Sequence, residues 1–253
     1  MKYSFTLPGR GPMATPENLG IIARHGEALG YEALLVSDHI VVPNQISSIY
    51  PYTEGGEFPG SDTGIAMEQL TVLSFIAGQT KTIKLGTSVM IVPHRNPVLV
   101  AKELATLDVL SGGRLRLGVG VGWLKEEFEA LGSPAFEERG AVTDEFIQAI
   151  KELWTSDNPT FYGKYCRFEN ITFLPKPARS RIRPFGWAER AGRPCAAPPG
   201  LPTPGTPMGP IRYSPCQGQN IWRREWRGCP AMPSRPGETL RRSKWFYGPI
   251  NSS

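Results

Sequence analysis

Two residues stand out as able to do chemistry. An Asp-His pair, Asp38-His39, closes the apolar run "YEALLVSDH" at residues 31–39. A carboxylate beside an imidazole is a common source of proton transfer near neutral pH. Two readings of the pair stand: a reactive pair at the end of a strand, or a loop cap at Asp38 beside a surface imidazole at His39. A glycine run follows later, "GVGVGW" at residues 118–123. Its GxGxG spacing departs from the GxGxxG of a dinucleotide fingerprint, and no acidic strand end follows about 20 residues on. The plainer reading is that Gly120, Val121, Gly122 and Trp123 form a turn where a flat group can approach the backbone. "GTSV" at residues 86–89, with Thr87, Ser88 and Val89, could do the same. His25 reads as a helix-surface residue. His94, in "PHRNP", reads as loop, with pocket lining as its alternative. HExxH, GxSxG and P-loop patterns are absent.

These residues need elements to hold them. Residues 3–8 read as a first strand. Thr15, Pro16 and Glu17 then open a helix with a cap, a first-turn proline and an acid near the positive helix end, and Gly30 stops it. Residues 31–39 form a second strand, nearly continuous in apolar residues as buried parallel strands are. A long loop rich in Pro, Gly, Ser and Tyr covers residues 40–64. A helix at 67–78, a strand at 83–92, a helix at 97–110 and a strand at 113–122 follow. Helices at 126–131 and 137–154 and a hairpin at 161–177 complete the ordered pattern. Four β-then-α units in a row predict a parallel α/β fold. Long loops after the strands suit a barrel with its site at the strand C-terminal ends. Pattern alone leaves a doubly wound sheet open.

Composition breaks sharply after residue 178. Residues 1–178 carry 15 Lys and Arg against 20 Asp and Glu, a net of −5. Residues 179–253 carry 13 against 3, a net of +10, with 13 of the 25 prolines and neither valine nor histidine. The overall basic charge therefore belongs to the tail. The four cysteines, Cys166, Cys195, Cys216 and Cys229, lie too far apart in sequence for a tight metal pair. Without a CxxC pattern or a signal peptide, a reducing, cytoplasmic setting and no bound metal are the expectation. No apolar run approaches the roughly 20 residues of a membrane-spanning helix, so no membrane partner is expected.

Residues 1–177 resemble the luciferase-like monooxygenase superfamily, and most of all its branch that uses coenzyme F420, a deazaflavin. The carrying segments are "RGPMATPENL", "VSDHIVVP", "LGTSVMIVPHRNPVLVAKELATLDVLSGGRLRLGVGVGWLKEEFEALG", "ERGAVTDEFI" and "FENITFLPKP". The resemblance implies a TIM-type (α/β)8 barrel of which this chain holds the N-terminal half, about four βα units. It implies an oxidoreductase passing hydride between coenzyme F420 and a small-molecule substrate, with FMN-dependent monooxygenase chemistry as the alternative. It places Asp38 and His39 beside the cofactor ring. Thr87, Ser88 and Val89 then form a turn, often with a non-proline cis peptide, that packs against the ring, and residues 120–123 form the loop after the fourth strand. Some relatives carry a glutamate acid/base where this chain has Trp123, which leaves His39 as the candidate proton donor. Family members are often homodimers.

Relatives continue past "PKP" with a fifth strand of the type "PPIWVGG" and a helix of the type "ALRRAARLADAW". This chain continues with "ARSRIRPFGWAERAG" instead. Reading its codons one register over allows the expected string, though many junctions are permissive. The Phe185-Gly186 junction then allows only Trp or Arg, and the Trp187-Ala188 and Met208-Gly209 junctions both force Gly. The expectation is a half-barrel at 1–178 and a Pro/Arg-rich, disordered tail at 179–253, translated out of frame, with the enzyme activity impaired. The rival reading is a basic nucleic-acid-binding arm, which gives no reason for a barrel strand in the shifted frame. A half-barrel would expose apolar faces and unpaired sheet edges.

Overall fold

The computed structural model describes residues 3–51, 53, 55–58 and 65–178. The predicted tail at 179–253, its frameshift and its nucleic-acid alternative lie outside the described residues.

Strand β1 (Ser4–Thr6) leads to helix α1 (Pro16–Ala28). Thr15 caps α1 by accepting from Asn18 N at 3.2 Å, and Gly30 follows its end at φ +77°. Strand β2 (Ala33–Val36) is followed by a long loop whose described residues hold neither helix nor strand, and then by α2 (Gln69–Gln79). Helix α3 (Pro97–Leu110) has the predicted bounds. Asn96 caps it by accepting from Val98 N at 2.9 Å and Leu99 N at 3.1 Å.

Each of the two long predicted strands is broken once. The segment predicted at 83–92 forms β3 (Lys84–Thr87) and β4 (Met90–Ile91), separated by a cis Ser88-Val89 peptide. The segment predicted at 113–122 forms β5 (Leu115–Arg116) and β6 (Val119–Gly120). The breaks match: β3 pairs β5, and β4 pairs β6. Thr87 stitches the gap, its hydroxyl donating to Gly118 O at 2.6 Å and accepting from Gly118 N at 2.8 Å. Hydrophobic patterning carries no sign of these breaks, because apolar residues such as Leu85, Met90, Leu115, Leu117 and Val119 recur on both sides.

Helix α4 (Lys125–Leu131) and α5 (Arg139–Thr155) follow. The predicted hairpin reduces to a short antiparallel pair, β7 (Phe161–Tyr162) with β8 (Arg167–Phe168). Its turn is gathered by Glu145 of α5, which accepts from the backbone N–H of Lys164, Tyr165 and Cys166 at 2.7–2.9 Å.

The main sheet runs β1-β2-β3-β5, all parallel, in chain order. A doubly wound sheet reverses its strand order at a switch point, and this one does not. The register sets Phe5, Leu34, Leu85 and Leu115 in one row. That row joins the core with Leu19 of α1, Leu73 and Ile76 of α2 and Leu104 of α3. Strand residues alternate faces, so the opposite face carries Ser4, Ala33 and Lys84 in one row and Thr6, Leu35, Gly86 and Arg116 in the next. Helices on one face of a sequentially ordered parallel sheet make the described residues part of a TIM-type barrel. The face turned to the barrel interior is largely polar, with Ser4 and Thr6 exposed and Lys84 ion-paired to Glu32.

Candidate active site

Helix α4 builds the site by reaching back to the loop after β2. Glu127, 1% exposed, accepts from His39 Nδ1 at 2.9 Å across 88 residues of sequence. Its other oxygen accepts from Ile40 N at 2.7 Å and Val41 N at 3.2 Å. The neighbouring Glu126 accepts from Ser47 N at 2.7 Å, Ser48 N at 3.0 Å and the Ser48 hydroxyl at 2.7 Å. Two successive acids thus hang the loop from one helical turn. Burial pushes the Glu127 carboxyl upward, but its hydrogen bond with His39, the nearby imidazoles and the Ile40 N–H outweigh it and hold it below the usual range. An ionised carboxylate only accepts, so His39 carries its proton on Nδ1, and Nε2 of the neutral ring is the lone-pair nitrogen.

The predicted residues divide by what they touch. Asp38 is fully buried. It accepts from Ile91 N at 2.7 Å and forms a two-pronged ion pair with Arg95, at 2.7 Å and 2.8 Å. Arg95 also donates to Glu68 at 2.7 Å. Burial alone would lower the Arg95 guanidinium, but Asp38 and Glu68 raise it above its ordinary value. Asp38 therefore anchors β4 and Arg95. Ser88 N donates to Val36 O at 2.8 Å, which sets the Ser88-Val89 turn against the end of β2. Thr87 is engaged with Gly118, as described above.

The glycines have a plainer role than room for a flat group. A Cβ on Gly120 would meet Val89 Cγ2 at 2.5 Å. Gly122 sits at φ +85°, and a Cβ there would meet Phe128 at 2.6 Å and Ile91 at 2.9 Å. The chain itself fills the space those glycines open, and Val121 is buried between them. Trp123 stands in an aromatic cluster, 5.0 Å from Tyr50, 5.2 Å from Phe58 and 6.4 Å from His39 between ring centroids. Phe58 lies 4.9 Å from His39 and carries the Arg10 guanidinium 4.7 Å above its ring. A cavity of about 190 Å³ opens at the C-terminal ends of β1, β2 and β3, lined by Arg10, Ser37 and Ser88 with the Pro8-Gly9 backbone. A larger, apolar groove of about 310 Å³ lies by α1 and α2, lined by Leu19, Val72 and Phe75, away from the strand ends.

Sequence reasoning missed Glu127, Arg10, Tyr50, Phe58 and Arg95. The doubled acid opening α4 was the available signal for Glu127, but acids in a first helical turn are ordinarily explained by the helix dipole. His94 sits in a 3-10 turn (Val92–His94), edge-on to Phe128 at 4.7 Å. Both its ring nitrogens are buried without a hydrogen-bond partner, and burial pushes its pKa down to about 4. His25 is an exposed helix residue bonded to Ile21 O. Among the described residues no His, Cys, Asp and Glu cluster could hold a metal ion, and no helix is long and apolar enough to cross a membrane.

The profile of the luciferase-like monooxygenases matches residues 1–193. The chain belongs to that family. An FMNH(2)-dependent dimethylsulfone monooxygenase of Pseudomonas putida is 38% identical over 135 residues, 51% of this chain and 37% of the relative. An F420-dependent glucose-6-phosphate dehydrogenase of Amycolatopsis mediterranei is 35% identical over 166 residues, 64% of this chain and 45% of the relative. Among solved structures, monooxygenase RslO1 from Streptomyces bottropensis superposes with a TM-score of 0.57 at 25% identity, covering 73% of this chain and 52% of its own. An F420-dependent secondary alcohol dehydrogenase shares the fold, with a TM-score of 0.55 at 23% identity, covering 70% of this chain and 49% of its own. The chain spans about half the length, or less, of these relatives. As a luciferase-like protein it belongs among oxidoreductases and monooxygenases whose members use either F420 or FMN.

Proposed function

We propose that this luciferase-like chain carries the ring-binding half of an active site for coenzyme F420, in which His39 moves the proton that accompanies hydride transfer to or from a small organic substrate. The observation that carries the reading is the buried Glu127–His39 pair at 2.9 Å, at the end of the strand where a barrel places its chemistry. The described residues suit a flat ring: the Ser88-Val89 turn, the Ser37 and Ser88 hydroxyls and the Trp123, Tyr50 and Phe58 rings lie around the strand ends. They supply less for a phosphate tail, which such barrels usually hold with the loops after strands seven and eight. When bound, the deazaflavin would accept the hydride in substrate oxidation and supply it in reduction. Nε2 of His39 takes the proton from the substrate oxygen in oxidation and returns it in reduction. Glu127 stabilises the imidazolium formed in between and keeps the ring in one tautomer. The aromatic cluster limits water around His39.

A second reading, FMN with oxygen chemistry, is favoured by the 38% identity to the FMNH(2)-dependent relative. Titrating the protein with F420 and with FMN, followed by ring absorbance, tests the choice. Tighter FMN binding with oxygen uptake on reduction would overturn the F420 reading. In His39→Asn, which keeps a donor toward Glu127 but removes the base, turnover is expected to fall about 10²–10⁴-fold while cofactor still binds. Unchanged turnover would remove His39 from the mechanism.

The division at residue 178, with residues 179–253 read out of frame, is proposed on the break in charge and proline content and on the narrow codon junctions. Resequencing the gene across codons 175–190 tests it.

A further inference from the structure

Gln69 breaks the pattern of its own helix. It opens α2 on the face that Val72, Leu73 and Ile76 continue, and all four are buried. Gln69 itself is 0% exposed. An apolar side chain would fill that place with no polar group to satisfy, so an amide there calls for a reason. The two ends of the amide are treated differently. Nε2 donates to Val36 O at 2.6 Å and, over a longer reach, to Val89 O at 3.5 Å. Oε1 is buried without a hydrogen-bond partner. The opposite orientation of the amide would set Oε1 against two carbonyl oxygens, which repel it. The side chain therefore uses its donor on two backbone carbonyls and leaves its acceptor empty, a standing cost in stability.

What the donor holds is the turn between β3 and β4. Val36 O, at the end of β2, also accepts from Ser88 N at 2.8 Å. The amide bridges that carbonyl to the carbonyl of Val89, across Ser88. Ser88 lines the cavity at the strand ends, whereas Gln69 has no exposed surface there. The residues before Gln69 act in the same direction. Glu68 receives Arg95, which grips Asp38, and Met67 N donates to Gly9 O at 2.9 Å. Residues 67–69 thus fasten, one after another, the segments at the C-terminal ends of β1, β2 and β3.

We propose that Gln69 is a positioning residue: its amide holds the Ser88-Val89 turn in the shape that receives the cofactor ring, and it stands in the core for that purpose, against stability rather than for it. The inference rests on the reading of the strand ends as the cofactor's site.

Hydrogen exchange and cofactor titration of the full chain test it. Gln69→Met keeps the length of the side chain while removing both the donor and the empty acceptor. Exchange at the Ser88 and Met90 amides is expected to speed about tenfold or more, while the amides of β2 stay protected and the urea midpoint is unchanged or higher. A lower midpoint, failure to fold, or unchanged exchange at Ser88 and Met90 overturns the inference, because the amide would then serve the core or nothing. Gln69→Glu adds a pH signature. A buried carboxyl held neutral can still donate to Val36 O, and an ionised one cannot. Protection of Ser88 relative to the unaltered protein is therefore expected to be kept at pH 6 and lost at pH 9. Equal relative protection at both pH values overturns the hold. Titration with F420 and FMN, followed by ring absorbance, separates the two readings. Binding about tenfold weaker in Gln69→Met than in the unaltered protein supports the positioning role; equal binding overturns it. Localised exchange with no cofactor binding by the unaltered protein would leave the hold of Gln69 on the turn standing and sink the active-site reading.

Discussion

His39 and His94 lie in the same polar cluster and are treated oppositely. His39 has a carboxylate on Nδ1; His94 has no partner on either nitrogen. Burial sets the His94 pKa at about 4, with Glu127 and Asp38 pulling it up and Arg95 and His39 pushing it down. A lowered folded pKa means that the unfolded chain binds the proton first. Stability is therefore unaffected above the unfolded value near 6.5 and falls as pH drops from there toward 4. The expected loss between pH 7 and pH 5 is about 2 kcal/mol. Glu27 titrates lower: held at about 2 by the N–H groups of Thr82, Ile83 and Lys81 against the upward push of burial, it loses its contribution as pH falls from its ordinary value near 4.5 toward 2. Urea unfolding at pH 7 and pH 5 checks this, and the slope should vanish in His94→Leu. Glu127→Gln tests the other histidine. It is expected to lower turnover about 10–100-fold, because the imidazolium loses its counter-charge and the ring its fixed tautomer. A shift in the pH–rate profile distinguishes that from simple loss of packing.

At the scale of elements, α4 and the break between β3 and β4 do most to shape the site. Glu126 holds Ser47 and Ser48, and Glu127 holds residues 39–41, so one helix turn fastens a loop whose described residues form neither helix nor strand. Glu126→Ala should speed hydrogen exchange at the Ser47 and Ser48 amides by about tenfold or more, while amides in β2 stay protected. Unchanged exchange would mean that the loop orders itself. Gly122 sits at φ +85° against Phe128 and Ile91. Gly122→Ala should cost about 1–3 kcal/mol in denaturant unfolding, through both backbone strain and overpacking. Helices were legible because their signals are local. Thr15-Pro16 and Asn96-Pro97 open α1 and α3, and Gly30 follows the end of α1, each within a few residues of what it controls. The breaks in the third and fourth strands were not legible, since they depend on Thr87 meeting Gly118 31 residues away.

For the whole molecule, sheet order decided what patterning left open. The sequential order β1-β2-β3-β5 with helices on the Leu34–Leu85 face is a barrel segment, and its relatives in the family are about twice as long or more. If resequencing bears out the proposed shift, the product of the corrected frame is expected to bind F420 or FMN at least about tenfold more tightly than this chain. The added strands would bring the loops that usually grip phosphate. Equal affinity for the two products would show that residues 1–178 already hold the complete cofactor site.

The sequence by itself determined the order of elements, the helix ends, the break in composition after residue 178 and, through its motifs, the family. Those properties are written in neighbouring residues, in spacing and in charge. Only the tertiary structure decided which carboxylate serves His39, that Asp38 belongs to Arg95, that Val89 and Phe128 fill the space left by Gly120 and Gly122, and that both ring nitrogens of His94 are buried without a partner. Each of those facts is a contact between segments far apart in the chain. No local propensity encodes such a contact until the sheet brings the strand ends together.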